Sequence, residues 1–375
     1  MPSDSSTKKL FIGLGIAALY FIITALPAPD GLTPVGKKAI AMMLAAVLVW
    51  VFEVIPIAVS SILFTLLPVV AGIIPLPKVM AHFATPTVFF VFAMFCISIA
   101  FQNSGLNRRV VLWTSLRSRG NPSRLLFFLM MVSALLSTFL ADIPVVAMML
   151  PVAVLLLEKN RCEPGASPFG KAVMLGLPIA CLIGGVGTPA GSAMNMLTIG
   201  LLQDTAKVHI SFFEWMAIGM PMVLILTPVA WWAVIKVFPP EMDRLAGMEL
   251  VEREYAELGP VTGREKLFFV ILLINFILWC TDKIHGLPLP VVAVIGGSLF
   301  VLPRIQLIDW ERDKCRIGWD ILMLIGASNA LGMIIWEQGG ASWIANACLG
   351  DISDLPLAGV IAAISIFTIV IHLLI

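Results

Sequence analysis

The residues able to do chemistry in this sequence are few, and the sharpest is an acid inside an apolar segment. The stretch 125–157 is apolar except at its centre, Leu140-Ala141-Asp142-Ile143-Pro144. A carboxylate at membrane depth costs at least about 2.5–3.5 kcal/mol on insertion scales, so it faces a cavity and has a role. Asp142 would serve there as a Na⁺ ligand or a proton carrier. Its structural use would be as a helix N-cap accepting from free backbone N–H groups, and the two uses are compatible.

A second group lies in 172–202, which contains Gly184-Gly185-Val186-Gly187-Thr188-Pro189-Ala190-Gly191-Ser192. That density of Gly and Pro predicts an unwound helix, tolerated at membrane depth where it lines a site. Thr188, Ser192 and Asn195, with carbonyls freed around Gly185 and Gly187, offer hard oxygen ligands for Na⁺. Half-helix N-termini facing the break would favour an anionic substrate. The structural alternative is close helix packing through small residues. Ser328 and Asn329 are expected to break a third apolar helix and to act as interhelical hydrogen-bond glue. Glu53, just before Pro56, reads as a cap or interfacial charge. His82, His209 and His285 fall in predicted loops, and His372 lies near the end of the chain. No hydrolase or phosphate-loop spacing is present, and the six cysteines form no C-x-x-C pair, so neither an enzyme nor a zinc or disulfide framework is indicated.

The composition says what must position these groups. Of 375 residues, 59% are apolar and 13% charged, against roughly 45–50% and about 25% in soluble domains. Mean hydropathy is +1.00. The net charge of +1 excludes a strongly basic nucleic-acid binder. The expected fold class is an all-α polytopic membrane protein, since the apolar runs have helical length. Candidate spans are 10–28, 39–53, 55–74, 86–102, 172–202, 215–238, 267–284, 288–303 and 319–336. The stretch 125–157 suits a re-entrant hairpin with a polar, Pro-containing tip.

Lys8 and Lys9, the arginines of 103–124 and the basic residues of 304–318 fall on one side, assigned as cytoplasmic with the N-terminus. The stretch 337–357, acidic at Glu337, Asp351 and Asp354, lies opposite. The linker 239–266 is the most charged segment and is expected to carry a surface amphipathic helix or to be plainly solvated.

The halves echo each other. Ile55-Pro56-Ile57-Ala58-Val59 resembles Leu289-Pro290-Val291-Val292-Ala293, and Ser104-Gly105-Leu106 resembles Gly339-Gly340-Ala341. An odd number of spans between Pro56 and Pro290 would make the repeats inverted, a signature of secondary transporters. The domain reading is a first transmembrane helix at 1–30 and a first repeat at 31–238. A cytoplasmic linker at 239–266 and an incomplete second repeat at 267–375 follow. The tip at Ala141-Asp142 maps to about 375–377, so the sequence is expected to be a fragment that does not transport alone.

The ordered segments VFEVIPIAVSSILFTLLPVV, FQNSGLNRRVVLW, LSTFLADIPVVAMMLPVAV, GGVGTPAGSAMNMLTIG and WDILMLIGASNALG resemble the divalent anion:sodium symporter family. The resemblance covers 35–375. It implies uptake or exchange of dicarboxylates, citrate or sulfate, coupled to Na⁺ and without other cofactor. It also implies a homodimer and a transport domain moving as an elevator against a scaffold. Ser-Asn-Thr motifs at two hairpin tips would bind Na⁺ and substrate carboxylates. Here Ala141-Asp142-Ile143 replaces the first motif. Ser137 beside it is retained, Gly187-Thr188-Pro189 and Asn195 match, and Ala193-Met194 stands where Pro-Pro is usual. A free Asp142 carboxylate would repel a dianion, which bound Na⁺ or a proton would relieve.

The leading expectation is a multi-pass secondary transporter of small anions in the cytoplasmic membrane, coupled to Na⁺ or H⁺. Ser137, Asp142 and Gly187 are its candidate Na⁺ ligands. Gly185, Thr188, Pro189, Ser192 and Asn195 complete the site. The competitors are a cation/proton antiporter working through Asp142 and a non-transporting membrane protein.

Overall fold

The computed structural model describes residues 4–350 and 355–374. Asp351, Asp354 and the side chain of His372 lie outside the described residues, as does the expected second tip. The chain is all-α: among the described residues no strand occurs. Six stretches are long and apolar enough to cross a membrane: Thr7–Ala25, Pro34–Val51, Leu76–Ser104, Pro168–Gly185, Phe212–Val237 and Trp319–Glu337. It is a polytopic membrane protein.

The chain divides into two compact units, Met1–Val88 with Gly318–Ile375, and Phe89–Ile317. The first contains α1 (Asp4–Ala25), α2 (Pro34–Val51), α3 (Ile57–Val70) and α4 (Leu76–Phe83). It then takes up the chain again at α17 (Trp319–Glu337), α18 (Gly340–Leu349) and α19 (Leu357–Leu374). Lys37 donates from Nζ to the carbonyls of Thr24 and Leu26, so a cation satisfies the open C-terminal end of α1. Pro56 offers α3 no side-chain cap. Asp320 of α17 supplies an acceptor instead, 3.3 Å from the Ala58 N–H. The Phe83 ring lies on Gly326, where a Cβ would come within 2.6 Å of it. Next to that contact Asn329 donates to Thr85 Oγ1 at 2.8 Å. The expected break at Ser328-Asn329 is therefore corrected: α17 runs continuously from Trp319 to Glu337. One polar side chain bonded to a neighbouring segment leaves the helical ladder intact.

The second unit runs through α5 (Pro86–Ser104), α6 (Leu106–Arg117), α7 (Pro122–Ser137), α8 (Asp142–Lys159), α9 (Pro168–Gly185) and α10 (Ala193–Leu201). It continues with α11 (Phe212–Val237), α12 (Met248–Glu257), α13 (Gly263–Cys280), α14 (Asp282–His285), α15 (Leu289–Leu299) and α16 (Trp310–Asp313). The core forms where α7 meets α9. Buried positions 125, 126, 129, 130, 133, 134 and 137 on α7 follow the i, i+1, i+4 pattern of one helix face, as do 169, 172, 173, 176, 177, 180 and 184 on α9. Lipid is as apolar as leucine, so close packing through small residues binds these faces. Ser133, Ala134, Gly176 and Gly184 provide it. The starts of both helices are readable locally: Pro122 and Pro168 stand first, and Asn121 and Ser167 accept the N–H of Arg124 and Gly170, each at 2.9 Å.

Glu241 holds the α9 start from outside, accepting from Ser167 Oγ and the Phe169 N–H. Burial pushes its carboxyl up, and these hydrogen bonds outweigh burial and hold it below the ordinary range. The linker carries the amphipathic α12, which packs on α6 through buried Val251, with Arg108 paired to Glu254 at 2.8 Å. Arg109 pairs with buried Glu265 at 2.8 Å and donates to the Gly259 and Pro260 carbonyls.

Several boundaries differ from the sequence reading. The expected loop 103–124 contains α6, whose arginines hide its apolar face. His82 lies in the last turn of α4 and His285 in α14, not in loops. The span expected at 288–303 shortens to an eleven-residue α15. Gly105 and Gly339 each cap the start of a short helix in the left-handed region, at φ 88° and 76°; Gly105 follows the 19-residue α5 directly and Gly339 follows the 19-residue α17 after Gln338.

Candidate functional site

The hairpin α7–α8 turns through residues 138–141, and the α9–α10 helix is interrupted over 186–192. Both expected features are present, and they touch. Gly184 meets the α7 backbone so closely that a Cβ would lie 2.1 Å from the Ala134 carbonyl oxygen. A Cβ on Gly191 would lie 2.5 Å from the Gly185 oxygen and 2.9 Å from the Ser137 oxygen. Only glycine permits this approach, and it crowds backbone carbonyls around the tip.

Asp142 is the first residue of α8, half-buried and near the positive end of that helix. It does not act as a cap: Ala141 holds the cap position without a side-chain bond. The hydroxyl of Ser137 donates to Asp142 Oδ1. Among the described residues it forms no ion pair. Gly185 lies against it, where a Cβ would be 3.2 and 3.4 Å from the two carboxylate oxygens. The carboxylate, the Ser137 hydroxyl and the carbonyls of Ser137, Gly185 and Gly191 thus form one patch of hard oxygens. Such a set suits a monovalent cation of high charge density. Among the described residues no cluster of three or more His, Cys, Asp or Glu exists.

Other sequence-derived candidates hold the frame. Thr188 is fully buried; its hydroxyl donates to the Thr138 carbonyl and accepts the Ala190 N–H at 3.0 Å. It therefore links the interrupted segment to the hairpin turn. Asn195 donates from Nδ2 to the Gly185 carbonyl at 2.7 Å and the Thr188 carbonyl at 2.8 Å. One lone pair on each is then taken, so those carbonyls are less free than the sequence implied. Ser192 caps α10 by accepting the Met194 N–H at 3.3 Å. Pro189 sits buried within the break, where its missing N–H costs no helix bond. Gly187 lies beside Thr138, with a prospective Cβ at 2.6 Å from its methyl.

Residues that sequence reading passed over complete the support. Ser98 of α5 accepts the Ala141 N–H at 3.4 Å, and Phe139 meets Phe276 edge-on at 5.4 Å. Trp215 and Gly219 of α11 contact the break itself. An isolated Ser, Trp or Gly in an apolar helix carries no sequence signal for such a role.

An interrupted helix within a polytopic helical bundle is a feature with which secondary transporters build ion and substrate sites. The comparisons agree, and they place the chain. It belongs to the sodium:sulfate symporter family, whose transmembrane-region model matches residues 7–375. It is similar to a protein of Cupriavidus necator named only "Membrane protein", 27% identical across 100% of this chain and 76% of that one. It also resembles the sodium-dependent dicarboxylate transporter SdcS of Staphylococcus saprophyticus, 29% identical across 89% of this chain and 69% of the relative. The namesake in Staphylococcus aureus strain USA300 is 27% identical across 91% and 71%.

Proposed function

We propose, against the expectation that the sequence alone does not transport, that this chain carries small dianions of the dicarboxylate, citrate or sulfate class across the cell membrane, coupled to Na⁺ at the hairpin tip. The observation that carries the reading is the Asp142 carboxylate: half-buried, free of any ion pair among the described residues, and surrounded by hydroxyl and carbonyl oxygens. A negative group in that position is an incomplete electrostatic unit that a cation completes. Sodium at Asp142 and Ser137 would neutralise the tip and lift its repulsion of a dianion. The family and the relatives' names support sodium coupling and a dicarboxylate-like substrate. The topology that goes with this reading has a cytoplasmic N-terminus, two inverted repeats at 31–238 and 267–375, a homodimer and elevator movement.

The test is uptake into proteoliposomes of labelled succinate and sulfate, with and without a Na⁺ gradient and across pH. Sodium-driven uptake that loses its cation dependence in Asp142→Asn is the expected outcome. Identical cation and pH dependence in wild type and variant would remove Asp142 from the coupling site. A second reading rests on the same carboxylate, since an unpaired acid also suits a cation/proton antiporter. Millimolar dicarboxylate or sulfate should raise the Tm of the anion carrier and leave an antiporter unchanged.

A further inference from the structure

The break at 186–192 releases carbonyls that no longer bond within a helix, and at membrane depth each needs a donor. Asn195 serves those of Gly185 and Thr188. The Val186 carbonyl is served from another helix: Trp215 of α11 donates from Nε1 at 2.9 Å. One turn further, Gly219 is buried against the same segment. A Cβ there would lie 2.6 Å from the Val186 oxygen and 2.8 Å from the Gly187 oxygen. Met220 adds its sulfur, 3.1 Å from a prospective Cβ on Gly187. Further along, α11 packs on the α7–α9 core through buried Val223, Thr227 and Val234, while Ile218, Ile225, Val229 and Trp232 are exposed. Its protein-facing contacts in this turn fall on the interrupted segment.

We propose that Trp215 and Gly219 are positioning residues for ion coupling: α11 acts as a strut that fixes the backbone of 186–187, and through it Gly185 against Asp142. Nothing in the sequence motifs assigns α11 to the site. The inference rests on the functional reading above for its link to sodium, while the strut itself rests on geometry alone. It makes a specific demand. Removing the indole N–H while keeping an aromatic ring should loosen the ion site without dismantling the helix bundle.

The test compares Trp215→Phe and Gly219→Ala with the control Trp232→Phe, on the same helix at a lipid-exposed position. The full chain is reconstituted and the sodium activation of uptake is measured. Loss of one hydrogen bond of ordinary strength corresponds to about a fivefold rise in half-saturating Na⁺ for Trp215→Phe, with the maximal rate retained. Trp232→Phe should match wild type. A uniform fall in maximal rate at unchanged half-saturation would overturn the proposal, because that marks a merely structural residue.

Hydrogen exchange of purified protein gives a readout independent of transport and covers a Gly219→Ala chain that folds poorly. Trp215→Phe should speed amide exchange at 186–192 while 168–184 stay protected. Unchanged exchange at 186–192 overturns the strut whatever sodium does. Accelerated exchange in Trp215→Phe, together with a wild type whose uptake shows no sodium response, would instead upset the functional reading and retain the strut.

Discussion

Gly184→Ala isolates the contact on which the site is built. The added methyl would stand 2.1 Å from the Ala134 carbonyl oxygen and 2.7 Å from both its carbonyl carbon and its Cα. Ordinary contact begins at 3.4 Å, so the shortfall to the oxygen is 1.3 Å, the difference of those two distances. The obstacle is backbone on both sides, with no flexible side chain to swing away. The helices α7 and α9 must therefore part or slide by about an ångström, and overpacking of that kind costs about 1–3 kcal/mol. The gain in helix propensity on replacing glycine, about 1 kcal/mol, offsets only part of it. Gly332→Ala is the matched control: it lies within α17 and nothing stands within 4 Å of its prospective Cβ. Thermal unfolding in detergent should show Gly184→Ala below wild type and Gly332→Ala equal or higher. Parting α7 from α9 also draws Gly185 away from Asp142, so sodium affinity should fall with stability. A Gly184→Ala protein with wild-type Tm and wild-type sodium response would refute the close-packing argument.

Three further outcomes are expected. Lys37→Met leaves the Thr24 and Leu26 carbonyls without their donor, and should lower stability by about 1–3 kcal/mol, read as earlier proteolysis of the α1–α2 connection. Glu241→Ala removes the acceptor at the α9 start and should cost about 1–2 kcal/mol in thermal or denaturant unfolding. Asp313 links stability to acid. Burial pushes its carboxyl up, but donors from Arg312, the Asp309 N–H, Arg316 and Asn103 outweigh burial and hold it at about 2, against an ordinary 3.8. A carboxyl lowered in the folded state contributes stability above its unfolded value and loses it as pH falls through the folded one. The contribution is thus full above about pH 4 and fades toward pH 2, and Asp313→Asn should flatten acid unfolding in that window.

The hairpin and the break were legible because both violate the rule for membrane helices: a polar, proline-containing centre in one, clustered glycine and proline in the other. Those violations are local and need no knowledge of packing. The break inferred at Ser328-Asn329 failed for the opposite reason: Asn329 places its Nδ2 on Thr85 of a neighbouring segment, and α17 stays wound around it. Short helices such as α6 were read as loops because their arginines mask a narrow apolar face. Within the site, residue type pointed to the right neighbourhood but not to roles. Thr188 and Ser192 offered hydroxyls on paper, and the fold spends both on caps and cross-links. Trp215 and Gly219 were invisible because their importance lies in distance to another helix.

The length of α7 has an electrical consequence. Its 16 residues rise about 24 Å, against a hydrocarbon core of about 30 Å. On the proposed topology the hairpin enters from the cytoplasm, and an α7 that starts at that boundary and runs along the membrane normal would carry its tip roughly four-fifths of the way through the insulating layer. An ion arriving at Asp142 from the far side crosses only the remaining fifth of the potential drop, about 0.5 kcal/mol per 100 mV of the roughly 2.3 for a full crossing. Sodium binding from outside should respond only weakly to voltage, and most of the charge movement should accompany transfer toward the cytoplasm.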